Sequence, residues 1–124
     1  YYFQLFATAP YLQPETIRTC VEKLTSSEEY DSCFTATENH GFYWLLNNPI
    51  NYRPGILPRS QDMLAVVEET TGLYGICRAS LERYRCRIGR KPYIHTVSKF
   101  EAVDINTEED LAVAQYIGKA VWGY

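Results

Sequence analysis

Tyr1-Tyr2-Phe3-Gln4-Leu5-Phe6, then Ala7-Thr8-Ala9-Pro10, then Pro14-Glu15-Thr16-Ile17-Arg18-Thr19-Cys20-Val21-Glu22-Lys23-Leu24 set the reading of the whole chain. The first six residues form an apolar, strand-like run and the next four a loop of small residues. Pro14 suits a first helical position, where its missing N–H is not needed. Ile17, Cys20, Val21 and Leu24 then recur at helical spacing and predict a buried stripe ending near Leu24. Strand, loop and helix in that order open an α/β unit. Further on, 31–38 reads as a second strand, rich in Cys, Phe and Thr, and 42–46 as a third apolar run. Residues 47–62 lose periodicity and hold three prolines, which in a compact domain marks a functional loop or an arm reaching a partner. A strand over 72–77, a short helix over 79–84 and a strand over 91–97 follow. The alternation predicts a mixed, largely parallel sheet flanked by helices, with an antiparallel excursion through the arm at 39–62.

Composition bounds the function. At 124 residues the chain is one domain's worth, and 46% hydrophobic with 22% charged residues is ordinary for a soluble globular protein. Aromatics at 15%, with 11 Tyr, suggest a sheet-rich core or a large interface. A net charge of −3 argues against nucleic acid as a partner. No apolar run has the length of a membrane span and nothing resembles a signal peptide. Four cysteines without a CxxC pair and only two His make zinc improbable and suggest reduced core thiols in a cytoplasmic protein. The chain opens inside a strand-like run with no initial Met, which reads as a cut through a larger protein.

The segment Phe100-Glu101-Ala102-Val103-Asp104-Ile105-Asn106-Thr107-Glu108-Glu109-Asp110-Leu111 carries the best candidate chemistry. Thr107 and Asp110 have capping-box spacing, and three acids in the first turn suit the helix dipole. Leu111, Ala114, Ile117 and Val121 predict the buried face of the helix that follows. Asp104 and Asn106, two apart in an extended lead-in, put two oxygen-bearing side chains on one side. Such a pair can hold a hard cation such as Mg²⁺. It can equally serve the turn before a helix, and local sequence alone favours the turn.

Other candidates are weaker taken singly. Arg53, Arg59 and Gln61 lie in the arm, where guanidinium forks suit phosphate or carboxylate but solvated charge is common. Glu68 and Glu69 precede Gly72-Leu73-Tyr74, and Tyr74 alternates with Leu73 so that it faces either a cleft or the core. Thr8 sits in a loop able to present backbone amides to an anion. His40 and His95 have no partner spacing, so a hydrolase triad is unsupported. Neither a Walker pattern nor G-x-G-x-x-G occurs, so any phosphate cradle lies outside this chain.

Taken in order, these segments resemble the second half of the CMP-sugar synthetases, the acylneuraminate cytidylyltransferase family. Residues 3–17 look like the family's LQPTSPL…xxI, and Asp31-Ser32-Cys33-Phe34-Thr35-Ala36-Thr37-Glu38 is similar to DSVxSVTE. Pro58-Arg59-Ser60-Gln61-Asp62 resembles PR-x-Q, and Glu68-Glu69-Thr70-Thr71-Gly72-Leu73-Tyr74 resembles EENGAIY. Arg87-Ile88-Gly89 resembles RIG, and residues 101–111 resemble SIDIDTxxDL. The resemblance implies a Rossmann-like nucleotidyltransferase fold, cut at its N-terminal side, that dimerises through the 39–62 excursion. It implies transfer of CMP from CTP to an acidic eight- or nine-carbon keto-sugar, with Mg²⁺, releasing pyrophosphate. Carried over by position, Asp104 is a catalytic Mg²⁺ ligand and Asn106 stands at a second acid, where a neutral amide favours a water-mediated contact. Arg59, a second catalytic residue by the same resemblance, and Gln61 bind sugar or phosphate, Tyr74 lines the sugar pocket, and Thr8, Thr70 and Arg87 join the substrate contacts. Phe6 replaces a sugar-binding Gln, and Thr70-Thr71 replace Asn-Gly, so the identity of the sugar stays open. The family's glycine- and lysine-containing phosphate loop would precede Tyr1, so the chain alone is expected to be inactive. The alternative is a non-catalytic sugar-binding or assembly module of the same fold.

Overall fold

The computed structural model describes residues 1–124. The chain forms β1 (Tyr2–Leu5), α1 (Pro14–Ser26), β2 (Ser32–Asn39), β3 (Trp44–Leu45), β4 (Asn48–Pro49), β5 (Val66–Ile76), α2 (Arg78–Tyr84), β6 (Pro92–Thr96) and α3 (Glu108–Ile117). A short 3₁₀ turn (Ser60–Asp62) precedes β5, and α3 runs on into a π-helical turn (Gly118–Trp122). The fold is mixed α/β. One four-stranded sheet has the order β1-β5-β2-β6, and β3 with β4 makes a separate two-stranded ribbon.

The expectation of a largely parallel sheet is corrected. Only β2–β6 is parallel; β1–β5 and β2–β5 are antiparallel. The reason lies in the connections. β1, β2 and β6 run the same way, as strand–helix–strand units require, but β5 runs against them and occupies the place between β1 and β2. It arrives there straight from the arm, with Asn39 paired to Val66, and a return without a crossover helix makes an antiparallel partner. β5 is also 11 residues long, beginning six residues before the strand expected at 72–77. The apolar run at 42–46 supplies only the two residues of β3, with Leu45 and Leu46 exposed.

The core has two faces. Cys20 and Leu24 of α1 pack on Cys33 of β2 and Leu73 of β5, with Phe3, Leu12 and Tyr93 at the margin. Burying a side chain such as Leu24 contributes about 1.5–3 kcal/mol. The buried stripe of α1 is Thr16, Cys20 and Leu24, a fraction of a turn from the predicted one. On the opposite face Phe34, Ala36 and Tyr74 pack together with Phe6 and Ile88. Gly75 is required on the α1 face, because a Cβ there would come within 2.6 Å of the Phe3 ring and 2.7 Å of Cys33 Sγ.

The capping box of α3 forms as its spacing predicts. Thr107 Oγ1 accepts from Asp110 N–H at 3.1 Å, and the Asp110 carboxylate accepts from Thr107 N–H at 3.0 Å and Asn106 N–H at 2.9 Å. The apolar stripe of α3 is mostly uncovered, however. Ala114 is buried, its carbonyl accepting from the Tyr11 hydroxyl at 2.5 Å, while Leu111 and Val121 are exposed. No helix is long and apolar enough to cross a membrane.

Asp31 fastens the C-terminal third to β2. Its carboxylate accepts from Ser32 Oγ (2.8 Å), Ser80 Oγ (3.2 Å) and the amides of Arg90 (2.8 Å) and Lys91 (3.0 Å). A Cβ on Gly89 would fall on this carboxylate, which accounts for glycine in Arg87-Ile88-Gly89. Burial acts to raise the Asp31 pKa, but the donors from Arg90, Lys91, Ser32 and Ser80 outweigh it and hold it below the usual carboxylate range. A depressed value means stability that is present above the unfolded pKa and lost as pH falls through the folded one. Asp31→Ala is expected to lower stability at neutral pH by about 2 kcal/mol and to flatten the acid limb below about pH 4. Denaturant unfolding across pH 2–7, compared with wild type, is the measurement.

Candidate functional site

Two side-chain groups, both hung on β5, hold most of the predicted site residues. Between Phe34 and Ala36 the β2–β5 register jumps from Tyr74 to Glu69, so four residues of β5 stand opposite Thr35 alone. Thr35 and Thr70 join their hydroxyls at 2.5 Å, and Thr70 Oγ1 also accepts from Gly72 N–H at 3.2 Å. The Thr70 hydroxyl is therefore engaged inside the bulge. Thr71 takes φ 58°, the left-handed region, which costs a β-branched residue of the order of 1–3 kcal/mol.

That conformation aims Thr71 at the loop before α3. Its hydroxyl shares its proton between the Thr70 carbonyl at 2.6 Å and Asp104 Oδ2 at 3.0 Å. Asn106 Nδ2 donates to the same oxygen at 2.6 Å. The carboxylate orients this amide, because the flipped rotamer would set two oxygens against each other. Ile105 N–H donates to the Thr8 carbonyl at 2.9 Å, so the small-residue loop after β1 lies beside Asp104. Burial pushes the Asp104 carboxyl upward, but the side chains of Thr8, Asn106 and Thr71 outweigh it and hold the acid below its ordinary value. Thr8 acts by proximity, since its hydroxyl makes no hydrogen bond of normal geometry; Asp104 Oδ1 is buried and has no partner. A cleft of about 250 Å³ alongside is lined by Lys99, Val103, Asp104, Asp110, Val113 and Ile117.

The second group centres on Tyr74. The Arg87 guanidinium stacks on its ring, with Cζ 3.9 Å from the centroid, and Nη2 donates to the phenol oxygen at 3.2 Å. The phenol in turn donates to Glu69 Oε1 at 2.6 Å. Phe6 meets the Tyr74 ring edge-on with centroids 6.0 Å apart. A cavity of about 240 Å³ beside them takes in Gln4, Arg85 and Cys86 as well as Tyr74 and Arg87. The lining is mostly apolar, with Tyr2, Phe3, Ile76 and Leu81 in it, and Arg87 gives it a guanidinium able to meet an anionic group.

The structure thus gathers Thr8, Asp104 and Asn106 into one cluster, and Tyr74 and Arg87 into another, with Thr70 in the bulge between. It does not join Arg59 and Gln61 to either. Both are exposed in the turn before β5, and Arg59 Nε pairs with Asp62 at 2.9 Å. Thr71, Lys99 and the bridging role of Glu69 escaped the sequence reading. One signal for Thr71 was available, because it stands where the resembling family has glycine and proves to need a positive φ.

A mixed α/β domain with an ionised acid beside a helix cap and an arginine-lined aromatic cavity is the class of site these residues define. The chain is similar to an N-acylneuraminate cytidylyltransferase A of Danio rerio, at 29% identity over 117 residues, covering 88% of this chain and 27% of the relative. It is similar to an N-acylneuraminate cytidylyltransferase of Oncorhynchus mykiss at 28% over 117 residues, covering 88% and 26%. The chain spans about a quarter of the length of these curated relatives. No family model matches it. The resemblance drawn from the ordered motifs is therefore found again in whole-sequence comparison.

Burial and the Glu69 carboxylate push the Tyr74 hydroxyl up to about 12, with Arg87 acting the other way. Its contribution to stability is complete below the unfolded tyrosine value near 10 and is lost as pH rises toward 12. Ultraviolet titration is expected to show one tyrosine ionising last, absent in Tyr74→Phe and displaced upward in Arg87→Ala.

Proposed function

We propose that this chain is the sugar- and cation-binding part of a cytidylyltransferase that activates an acidic keto-sugar of eight or nine carbons with CTP. The observation that carries the reading is the ionised Asp104, whose buried Oδ1 lacks a partner, in a chain similar to N-acylneuraminate cytidylyltransferases. Mg²⁺ fits that donor chemistry, since a hard cation takes carboxylate oxygen, and Asp104 would be the residue that holds it. No three His, Cys, Asp or Glu side chains converge here, so the protein would contribute little beyond Asp104. When bound, Mg²⁺ supplies charge that stabilises the transition state and the pyrophosphate leaving group.

The roles of the chain's own residues follow. Asp104 fixes the cation position, with Asn106 steadying its carboxylate. Arg87 over Tyr74 receives the sugar carboxylate and orients the anomeric hydroxyl toward the α-phosphate of CTP, with Thr8 and Thr70 shaping the loop and bulge beside it. The hydroxyl oxygen forms a bond to that phosphorus as the bond to the β-phosphate bridging oxygen breaks, and the hydroxyl proton passes to solvent. Arg59 and Gln61 reach substrate only if the arm closes over the sheet or comes from a second copy. The arm's exposed Trp44, Leu45, Leu46, Ile56 and Leu57 support a homodimer interface. The four free thiols agree with a cytoplasmic setting.

The test is pyrophosphate release from CTP with a panel of acidic keto-sugars, using the full reading frame that contains this chain. Asp104→Ala is expected to reduce kcat by about 100-fold or more; unchanged turnover overturns the role of Asp104. The 124-residue chain by itself is expected to release none, because it holds no glycine-rich phosphate loop. Sugar binding by the full-length protein without pyrophosphate release would instead identify a binding module. For the arm, sedimentation velocity of a Leu45→Glu/Leu46→Glu variant is expected to show a monomer where the unmodified protein is a dimer.

A further inference from the structure

Asp104 shares its cleft with Asp110, whose carboxylate is taken up by the cap of α3, and its own two carboxylate oxygens are in opposite situations. Oδ2 takes both neutral donors, Thr71 Oγ1 at 3.0 Å and Asn106 Nδ2 at 2.6 Å, while Oδ1 is enclosed and unpartnered. The two donors come from different elements, the β5 bulge and the lead-in to α3, so they fix the plane of the carboxylate from both sides. Thr71 does this from φ 58°, where glycine would sit without strain. A β-branched residue in that conformation adds nothing to the backbone that glycine lacks; what it adds is the hydroxyl.

We propose that Thr71 is a positioning residue of the cation site, forming with Asn106 a neutral clamp that ties up Oδ2 and presents Oδ1 alone to a divalent cation. The inference rests on the cation reading above and deepens it. A one-oxygen, one-charge site holds a bare divalent cation weakly, so the cation enters as its complex with the nucleotide phosphates. Asn106 then acts through Asp104 and does not itself ligate.

Mn²⁺ added with CTP serves as the probe, read as paramagnetic broadening of ¹⁵N-labelled amide signals in the full-length protein that contains this chain. Wild type is expected to lose the signals of Thr8, Thr71, Asp104 and Ile105 first, and Thr71→Ser to follow the same curve. Thr71→Val and Thr71→Gly are expected to need about tenfold more Mn²⁺ for the same broadening, the lower end of the weight of one hydrogen bond to a charged group. Thr71→Gly relieves the backbone and keeps the fold, so the comparison survives if Thr71→Val does not fold. Glycine and valine variants that titrate like wild type overturn the clamp while leaving the cation reading intact. Wild type without localised broadening around Asp104 overturns the cation reading and the clamp together.

Discussion

The irregularity in β5 is the constraint on which the rest depends. In a regular strand, residues five apart lie on opposite faces and about 17 Å from each other. Glu69 and Tyr74 are five apart, yet the Tyr74 hydroxyl donates to the Glu69 carboxylate at 2.6 Å. Only the compression of Thr70-Thr71-Gly72-Leu73 opposite Thr35 allows this. The same compression puts Thr71 into the left-handed region and turns its hydroxyl to Asp104. β5 lies between β1 and β2, with β2 pairing on both sides of the bulge and β1 reaching only to Leu73, so the bulge is held by the β2 register and by the Thr35–Thr70 hydroxyl pair.

A second tie, the Asp31 carboxylate, governs the other half of the site. Four donors from Ser32, Ser80, Arg90 and Lys91 converge on it, so the loop after α2 is fixed relative to β2 by charge-assisted bonds. Arg87 lies within that loop, two residues before the glycine that must stay small to clear the carboxylate. The stacking of Arg87 on Tyr74 is therefore a consequence of an acid at the start of β2. A similar long-range substitution occurs at α1, whose cap residue Gln13 makes no side-chain bond to the helix; its backbone N–H donates to Glu101 Oε1 at 3.0 Å. Glu101 and Asp104 thus anchor one short segment at the start of α1 and at the β5 bulge.

The arm from 40 to 65 is organised from within. Asn51 is nearly buried and joins three strands of loop, accepting from Tyr43 N–H at 3.0 Å and donating to the carbonyls of Gly41 at 2.7 Å and Leu64 at 3.1 Å. Phe42, Trp44 and Tyr52 pack edge to face around it. The arm holds its own shape while leaving Leu45, Leu46, Ile56 and Leu57 in solvent.

Local rules were legible in the residues themselves. The capping box at Thr107 and Asp110, the proline start of α1, the short α2 and the β2 and β6 strands follow from periodicity and cap chemistry, which act over a few residues. Asp104 stood out as a candidate only through the order of motifs, since a polar residue before a capped helix is ordinary. Tertiary structure decided three things. It set the sheet direction, because the arm's route between β2 and β5 has no local signature. It left the stripe of α3 largely uncovered, because amphipathic spacing states which face is apolar and not what packs on it. And it joined Thr71 to Asp104 across 33 residues, because a bulge is an offset between two strands, and neither strand's sequence contains that offset alone.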